Sequence, residues 1–425
     1  LSDDAISGKQ VEWDSLRPYT LTQKEKAIYQ MVDSIQQVPL YKNIYTVLNT
    51  IIGGYYNTKY VGIGPYSKVI SFNRLEGARF QIGARTTKEF SRRVRLSTYL
   101  AYGTRDEDFK GAAEVELMLR RQLLRKLTVT YRNDAIQLSS GVSALSENNI
   151  LSSIFSRGGT SRLSTIEEGI ALYEHEWLHG ISSSFELRGR HISSNRYVPM
   201  ILPDGLSKDE TIVRMPFEVR HMGSKYPIFS FDFTGAKRGV LPASYDYLRL
   251  EGRMQYRLNL PPVGYSRLML EGGKIFGKVP YLLLKLHEGN GTYFYDRYAF
   301  SCMNFYEFSS DAWISFFYEH HFNGFLLGRV PLLKKLNWRE VFVFKGVYGT
   351  LSARNDGSLP NTKAVMLFPV GMSSVEHPYL ETGFGIENIF RLLRVDFIWR
   401  LTHHRPIPGL SIPTFTVNFS LNLKF

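Results

Sequence analysis

The chain has 425 residues, of which 44% are hydrophobic, 14% aromatic and 21% charged, a balance too aromatic for a disordered or coiled-coil protein and suited to β-structure. Cys302 is the single cysteine, which excludes a disulfide framework within the chain and any cysteine-based zinc ribbon. The net charge of +13 and pI near 9.5 suit anionic lipid or acidic glycans, whereas the even spread of basic residues, gathered neither in a tail nor on one helix, argues against nucleic acid as a partner.

The first fifty residues read as helical. Thr22 and Glu25 form a capping box, Ile28, Met31, Val32 and Ile35 follow on one helical face, and Pro39 ends the helix. A second amphipathic run places Leu40, Ile44, Val47, Leu48 and Ile51 on one face and closes at Gly53-Gly54. Residues 1–54 are therefore expected to be a short helical segment. The chain opens on Leu1 rather than Met, which reads as an N-terminal piece removed or left out. No stretch reaches the roughly 18 apolar residues of a membrane-spanning helix.

From about residue 55 the period changes from 3.6 to 2. In the last eleven residues Phe415, Val417, Phe419, Leu421, Leu423 and Phe425 alternate with Thr416, Asn418, Ser420, Asn422 and Lys424. Alternation recurs around Val115, Phe217, Phe231 and Phe397 and in 248–258, where Arg249, Glu251, Arg253, Gln255 and Arg257 share one face. Soluble β-sandwiches alternate too, but their strands are usually about five or six residues, shorter than these. A tilted strand of about 9–11 residues spans a bilayer, and aromatic residues gathered at strand ends match the girdles of transmembrane barrels. The fold class expected for residues 55–425 is thus an all-β, antiparallel transmembrane β-barrel. About 20–25 residues per strand and loop give about 16 strands, with 14 as the alternative. An even count leaves both barrel ends, and the helices, on the periplasmic side.

A charged side chain facing lipid near the midplane costs about 2–4 kcal/mol, so the row Arg249, Glu251, Arg253, Gln255, Arg257 must face the lumen. It makes either an ion-pair ladder or a basic surface for a plug or an anionic solute. The expected seam pairs 55–65 with 415–425, ending at Phe425, and Gly62, Gly64 and Pro65 weaken it, since Pro cannot donate to a ladder.

One stretch points elsewhere. His175-Glu176-Trp177-Leu178-His179 matches the H-E-x-x-H signature of zinc peptidases, whose histidines meet a metal only one helical turn apart. On a strand they lie about 13 Å apart. A capping box at Ser164 and Glu167 supports a helix; Gly169 and the barrel spacing favour a hairpin turning at His179-Gly180. The adjacent pairs His320-His321 and His403-His404 would point to opposite strand faces and read as rim residues. With no nucleophile elbow, P-loop or dinucleotide glycine pattern, no catalytic residue, metal or cofactor is expected, and a zinc metallopeptidase is kept only as a remote alternative.

The strings "HHFNGFLLGRVPLLKKLNWREV" (320–341), "YGTLSARN" (348–355) and "HPYLETGFGIENIFRLLRVDFIWRLT" (377–402) resemble a family of Bacteroidota outer-membrane barrels. "WDSLRPYTLTQKEKAIYQMVDS" (13–34), "IGPYSKVISFNRLEGARFQIGARTT" (63–87) and "AYGTRDEDFKG" (101–111) resemble it as well, so the likeness covers nearly the whole chain. Asn73, Glu76, Gly77, Gly324, Pro331, Glu381, Gly385 and Asn388 belong to these strings. Full-length members of that family place a carboxypeptidase-D regulatory-like domain, which implies no peptidase activity, ahead of the barrel. More distantly, the C-terminal third is similar to Omp85-type barrels, although "YDRYAF" (295–300) is only a weak stand-in for the inward loop's motif. The resemblance implies an integral outer-membrane protein, either an accessory factor in outer-membrane protein or lipoprotein assembly or a transport channel. Its implied partners are outer-membrane lipids including lipopolysaccharide, the outer-membrane assembly machinery and other envelope proteins or lipoproteins.

Overall fold

A computed structural model of the chain describes residues 22–41, 50, 53–139, 156–157, 162–203, 210–221, 227–238, 243–358, 362–405 and 411–421. It divides into two compact units, Leu1–Asn57 and Thr58–Phe425. In the first, helix α1 spans Gln23–Gln37. Its capping box forms as the sequence suggests: the Glu25 carboxylate accepts the Thr22 backbone N–H at 2.8 Å, and the Thr22 hydroxyl accepts the Glu25 N–H at 3.4 Å. The helix stops two residues before Pro39, and residues 39–41 resume a helical turn. Most of the second amphipathic run lies outside the described residues.

The second unit is an antiparallel meander. It begins with the short strands β1 (Val61–Ile63) and β2 (Ile70–Asn73), which pair with opposite ends of β3 (Gly77–Thr86). Together they make one broken strand rather than the continuous 55–65 strand expected. The break is where Gly64 donates to the Gly83 carbonyl at 2.9 Å. A Cβ on Gly83 would meet the Gly64 carbonyl oxygen at 2.4 Å, so only glycine admits this approach.

Long strands follow in chain order: β4 (Val94–Gly103), β5 (Phe109–Arg120), β6 (Arg125–Ile136), β7 (Ser164–Leu178), β8 (Ile181–Ser193), β9 (Glu210–His221), β10 (Ile228–Ala236), β11 (Tyr247–Asn259) and β12 (Tyr265–Gly277). After an excursion over residues 278–311, the meander resumes with β15 (Ala312–His321), β16 (Arg339–Thr350), β18 (Tyr379–Ile389), β19 (Leu393–Arg400) and β20 (Phe415–Leu421). Each long strand pairs with the next one along the chain. The strands β13 (Lys285–Leu286), β14 (Phe308–Ser310) and β17 (Ser373–Ser374) form a separate three-stranded sheet. Among the described residues no ladder joins β20 to β1 or β2. Phe425 lies outside them.

The two faces of the large sheet are chemically opposite. On β15, Trp313, Ser315, Phe317, Glu319 and His321 are buried, whereas Ile314 between them is 49% exposed. On β18, Glu381 is buried and Phe384 is exposed; on β19, Arg394, Asp396 and Arg400 are buried and Trp399 is exposed. Phe80, Ile82, Leu100, Leu119, Phe231, Phe342 and Phe415 are also exposed. The outer face is thus apolar and the inner face carries the charges, the reverse of a water-soluble sheet and the pattern of a lipid-facing wall.

The sheet curls around residues 278–311. That excursion reaches β7 through Tyr306 Oη and Ser164 Oγ, 3.0 Å apart, and β18 through Glu381. Tyr281, Leu282, Leu283, Leu284 and Leu286 pack with Val198, Met200 and Met366 in an apolar cluster on the inner side.

Candidate functional site

The inner face of β15–β19 binds the inward segment through charged side chains. Glu319 on β15 accepts from Tyr295 Oη at 2.6 Å and from Arg297 Nε at 2.8 Å. Arg394 on β19 reaches the same carboxylate at 3.2 Å and Asp396 at 2.7 Å. From β16, Lys345 donates to the carbonyls of Asp296 and Ala299 at 2.8 and 2.6 Å. Glu381 on β18 accepts the backbone N–H groups of Ser301 and Cys302 at 2.8 and 2.7 Å, and the Tyr379 hydroxyl at 2.7 Å. Arg400 on β19 meets Glu307 at 2.7 Å. Every one of these groups is buried apart from Tyr295 and Arg297, so each bond satisfies a charge that would otherwise be costly. The weak stand-in "YDRYAF" therefore does fold inward, and Tyr295 and Arg297 are its anchors.

Within the segment, Lys285 bridges Glu271 at 2.5 Å and Glu288 at 2.6 Å. These carboxylates hold its ammonium above its usual range against the opposing effect of burial. His287 is fully buried beside Ser310, 2.9 Å away. Burial, then the Lys285 charge, pushes its pKa down to about 3. Burial also raises the Cys302 thiol well above its usual value, which leaves it unreactive.

One contact concerns the sheet edge. Phe419 on β20 donates its N–H to Tyr293 and accepts from the Tyr295 N–H, both at 2.7 Å. Phe294 and Phe419 thus form a parallel bridge on the edge of β20 that β19 does not use. Val417 and Leu421 have no such partner among the described residues.

Of the basic row, Arg249, Glu251, Arg253 and Gln255 are half-buried and Arg257 is exposed. Arg249 pairs with Glu251 at 2.5 Å, Arg253 with Glu271 at 2.5 Å, and Gln255 contacts Met269 Sδ at 3.7 Å. Arg257 lies over Tyr265, 4.1 Å from the ring centroid. The half nearest Trp313 is an ion-pair ladder; Arg257 is not part of it.

Other residues singled out from the sequence shape turns and ends. Asn73 and Glu76 bond reciprocally across the β2–β3 turn, where Gly77 takes φ 75°, and Glu76 holds Arg79 at 2.7 Å. Gly324 takes φ 82° after β15, and Pro331 starts the short helix α2 (Pro331–Lys334). Asn388 takes φ 70° and donates to the Asn337 carbonyl at 2.7 Å. Gly62 pairs with Arg85, so it and Gly64 face β3 rather than β20; Pro65 starts the 3-10 turn after them.

The H-E-x-x-H stretch is no helix. His175 sits on β7, its ring stacked on Trp177 with centroids 4.0 Å apart, and Nδ1 is 3.0 Å from the Tyr173 hydroxyl. His179 lies in the turn to β8, and the spacing that would let both histidines share a metal is lacking. His321, read as a rim residue, is buried between Glu319 and Glu387 at 3.4 and 3.1 Å, because the network inside the wall reaches the end of β15. His320 bonds Ser266 at 2.8 Å.

The described strands thus make an antiparallel meander, apolar outside and charged inside, with residues 278–311 anchored within it. The fold is similar to that of BamA from Haemophilus ducreyi lacking POTRA domains 1-3, with TM-score 0.50 and 9% identity over 83% of this chain and 69% of that one. CdiB from Acinetobacter baumannii matches with TM-score 0.41 and 12% identity, over 83% of this chain and 58% of its own. The chain belongs to the family of unknown function (DUF5686), C-terminal domain, whose pattern matches residues 47–191 and 210–353. No curated protein matches it.

Proposed function

We propose that this chain is an integral outer-membrane β-barrel, without catalysis, metal or cofactor, that serves as an accessory factor in outer-membrane protein or lipoprotein assembly. The observation that carries this reading is the edge of β20: among the described residues, its outward-pointing backbone groups meet the inward segment at Phe419 alone. A strand edge with free donors and acceptors is a template for another strand, and residues 278–311 pack an apolar cluster against the inner side of the wall. In this reading residues 1–54 and both ends of the barrel are periplasmic, and the wall closes into about 16 strands. The chain then comes from a Bacteroidota outer membrane and follows a carboxypeptidase-like regulatory domain. Its partners are outer-membrane lipids including lipopolysaccharide, the assembly machinery and client proteins.

The test ties the edge shut. Cysteines replacing Phe294 and Phe419 in a Cys302→Ser background place a disulfide at the observed bridge. The locked protein is expected to lose support of outer-membrane protein levels and to regain it on reduction. Full support by the oxidised, locked protein sinks the assembly reading. A transport channel is the second reading, favoured by a cavity of about 990 Å³ among β11, β12 and β15. Sustained single-channel conductance of the purified protein in planar bilayers decides for it.

A further inference from the structure

That cavity is lined by Gln255, Arg257, Arg267, Arg297, Tyr298 and Glu319, among others. Arg257 and Arg267 are direct cross-strand partners on β11 and β12. Their guanidinium carbons lie 4.1 and 5.3 Å from the centroid of the same Tyr265 ring, which stacks on His321 with centroids 4.5 Å apart. Like charges directly opposite each other destabilise a sheet.

Two features leave this repulsion only partly offset. Among the described residues neither Arg257 nor Arg267 makes an ion pair or a side-chain hydrogen bond, and Arg267 feels Glu319 only at longer range, whereas Arg249 and Arg253 of the same row are each tied to a carboxylate. The cavity's third arginine, Arg297, has to share Glu319 with Arg394, Tyr295 and His321. Three guanidiniums thus line one cavity with a single carboxylate that is already engaged.

We propose that this cavity binds a small soluble molecule carrying a phosphate-type dianion, with Arg257 and Arg267 as its forked donors and Tyr265 holding both in place. Paired guanidiniums match the oxygen spacing of a tetrahedral dianion and give charge-assisted, bidentate bonds. A volume of about 990 Å³ exceeds what one phosphate needs, so the rest of the ligand is an uncharged or sugar-like body facing Gln255 and Tyr298. Ligand sites of such size, with a few convergent polar groups, are typical of small-molecule pockets. The two proposed donors lie on β11 and β12 rather than on β20 or the segment it meets, so a failure to bind phosphate leaves the assembly reading to its own test.

Calorimetry on the purified, folded protein in detergent uses inorganic pyrophosphate and glucose 6-phosphate as soluble probes. Vesicles containing phosphatidic acid and a hexaglutamate peptide are the other arms. Binding of both soluble phosphates is expected, weakened at least tenfold in R257Q/R267Q and unchanged in R95Q, which removes an exposed arginine elsewhere. Because the empty site is self-repelling, R257Q/R267Q is also expected to unfold at higher denaturant than the wild type without pyrophosphate, and to lose the pyrophosphate-dependent rise in midpoint. If the double variant does not fold, R257Q and R267Q singly carry the test, each with several-fold weakening. No heat with either soluble phosphate at millimolar concentration, equal affinity in the variants, or binding confined to vesicles or to hexaglutamate overturns the proposal.

Discussion

Replacing Glu381 by Ala removes the acceptor of three bonds, two from the backbone of Ser301 and Cys302 and one from Tyr379. A hydrogen bond to a charged group contributes about 1.5–3 kcal/mol, so three give roughly 4–9 kcal/mol before relaxation. Water entering the vacated space and the loss of a buried carboxylate's own desolvation recover part of this, leaving an expected loss of about 3–5 kcal/mol. The loss falls on the docking of the inward segment, and the chain carries its own reporter. Cys302 is the single thiol, fully buried, with Sγ 3.6 Å from the Ile398 carbonyl. Maleimide labelling of folded protein measures how often the segment leaves its seat. At about 1.4 kcal/mol per factor of ten, Glu381→Ala is expected to label roughly a hundredfold to a few thousandfold faster while keeping the heat-modifiable mobility of the folded protein. Glu381→Gln keeps one acceptor and should fall between. Wild-type labelling by a folded Glu381→Ala protein refutes the claim that this carboxylate holds the segment.

Gly385→Ala places a methyl 2.2 Å from the Asp396 carboxylate, which Arg394 holds in place; a loss of about 1–3 kcal/mol is expected in urea unfolding, and an unchanged midpoint contradicts it. His287 gives a pH dependence: its folded pKa lies near 3 and its unfolded value near 6.5, so the unfolded chain takes up the proton first. Stability is full above about pH 6.5 and falls as pH drops towards 3, by up to about 1.4 kcal/mol per unit, and His287→Asn should flatten that slope between pH 7 and 5. The purified protein is expected to hold no stoichiometric zinc, and metal analysis finding one zinc per chain, lost in His175→Ala, reverses the assignment of residues 173–180 to a hairpin.

The wall was legible in the sequence because its strands are apolar on one face and charged on the other. That single constraint writes itself every second residue, in the alternation around Phe231 and Phe415 and in the shared face of Arg249 and Arg253. The turn at His179-Gly180 was legible for the same reason. The inward segment was not. Its Leu282–Leu284 run packs as in a soluble core, while Arg297 and Glu307 answer charges on strands tens of residues further along. No period records such pairings. Glu381 stood out only through resemblance to a family, since its partners at 301 and 302 are about 80 residues away. The broken first strand was hinted at by Gly64 and Pro65, but the resumption at Ile70 depends on where β3 offers its edge.

The inward segment precedes in the chain every strand that anchors it from beyond residue 311. During synthesis it emerges before Glu319, Lys345, Glu381, Arg394 and Arg400 exist to receive it. A chain cut short before residue 393 would carry Glu319 without Arg394 and Glu307 without Arg400, with Phe419 missing from the bridge to Tyr293 and Tyr295. The interior network is thus completed in two stages: the contacts of Lys285 with Glu271 and of Tyr306 with Ser164 are open to a shorter chain, whereas those with Arg394, Arg400 and Phe419 are made only once the last strands exist.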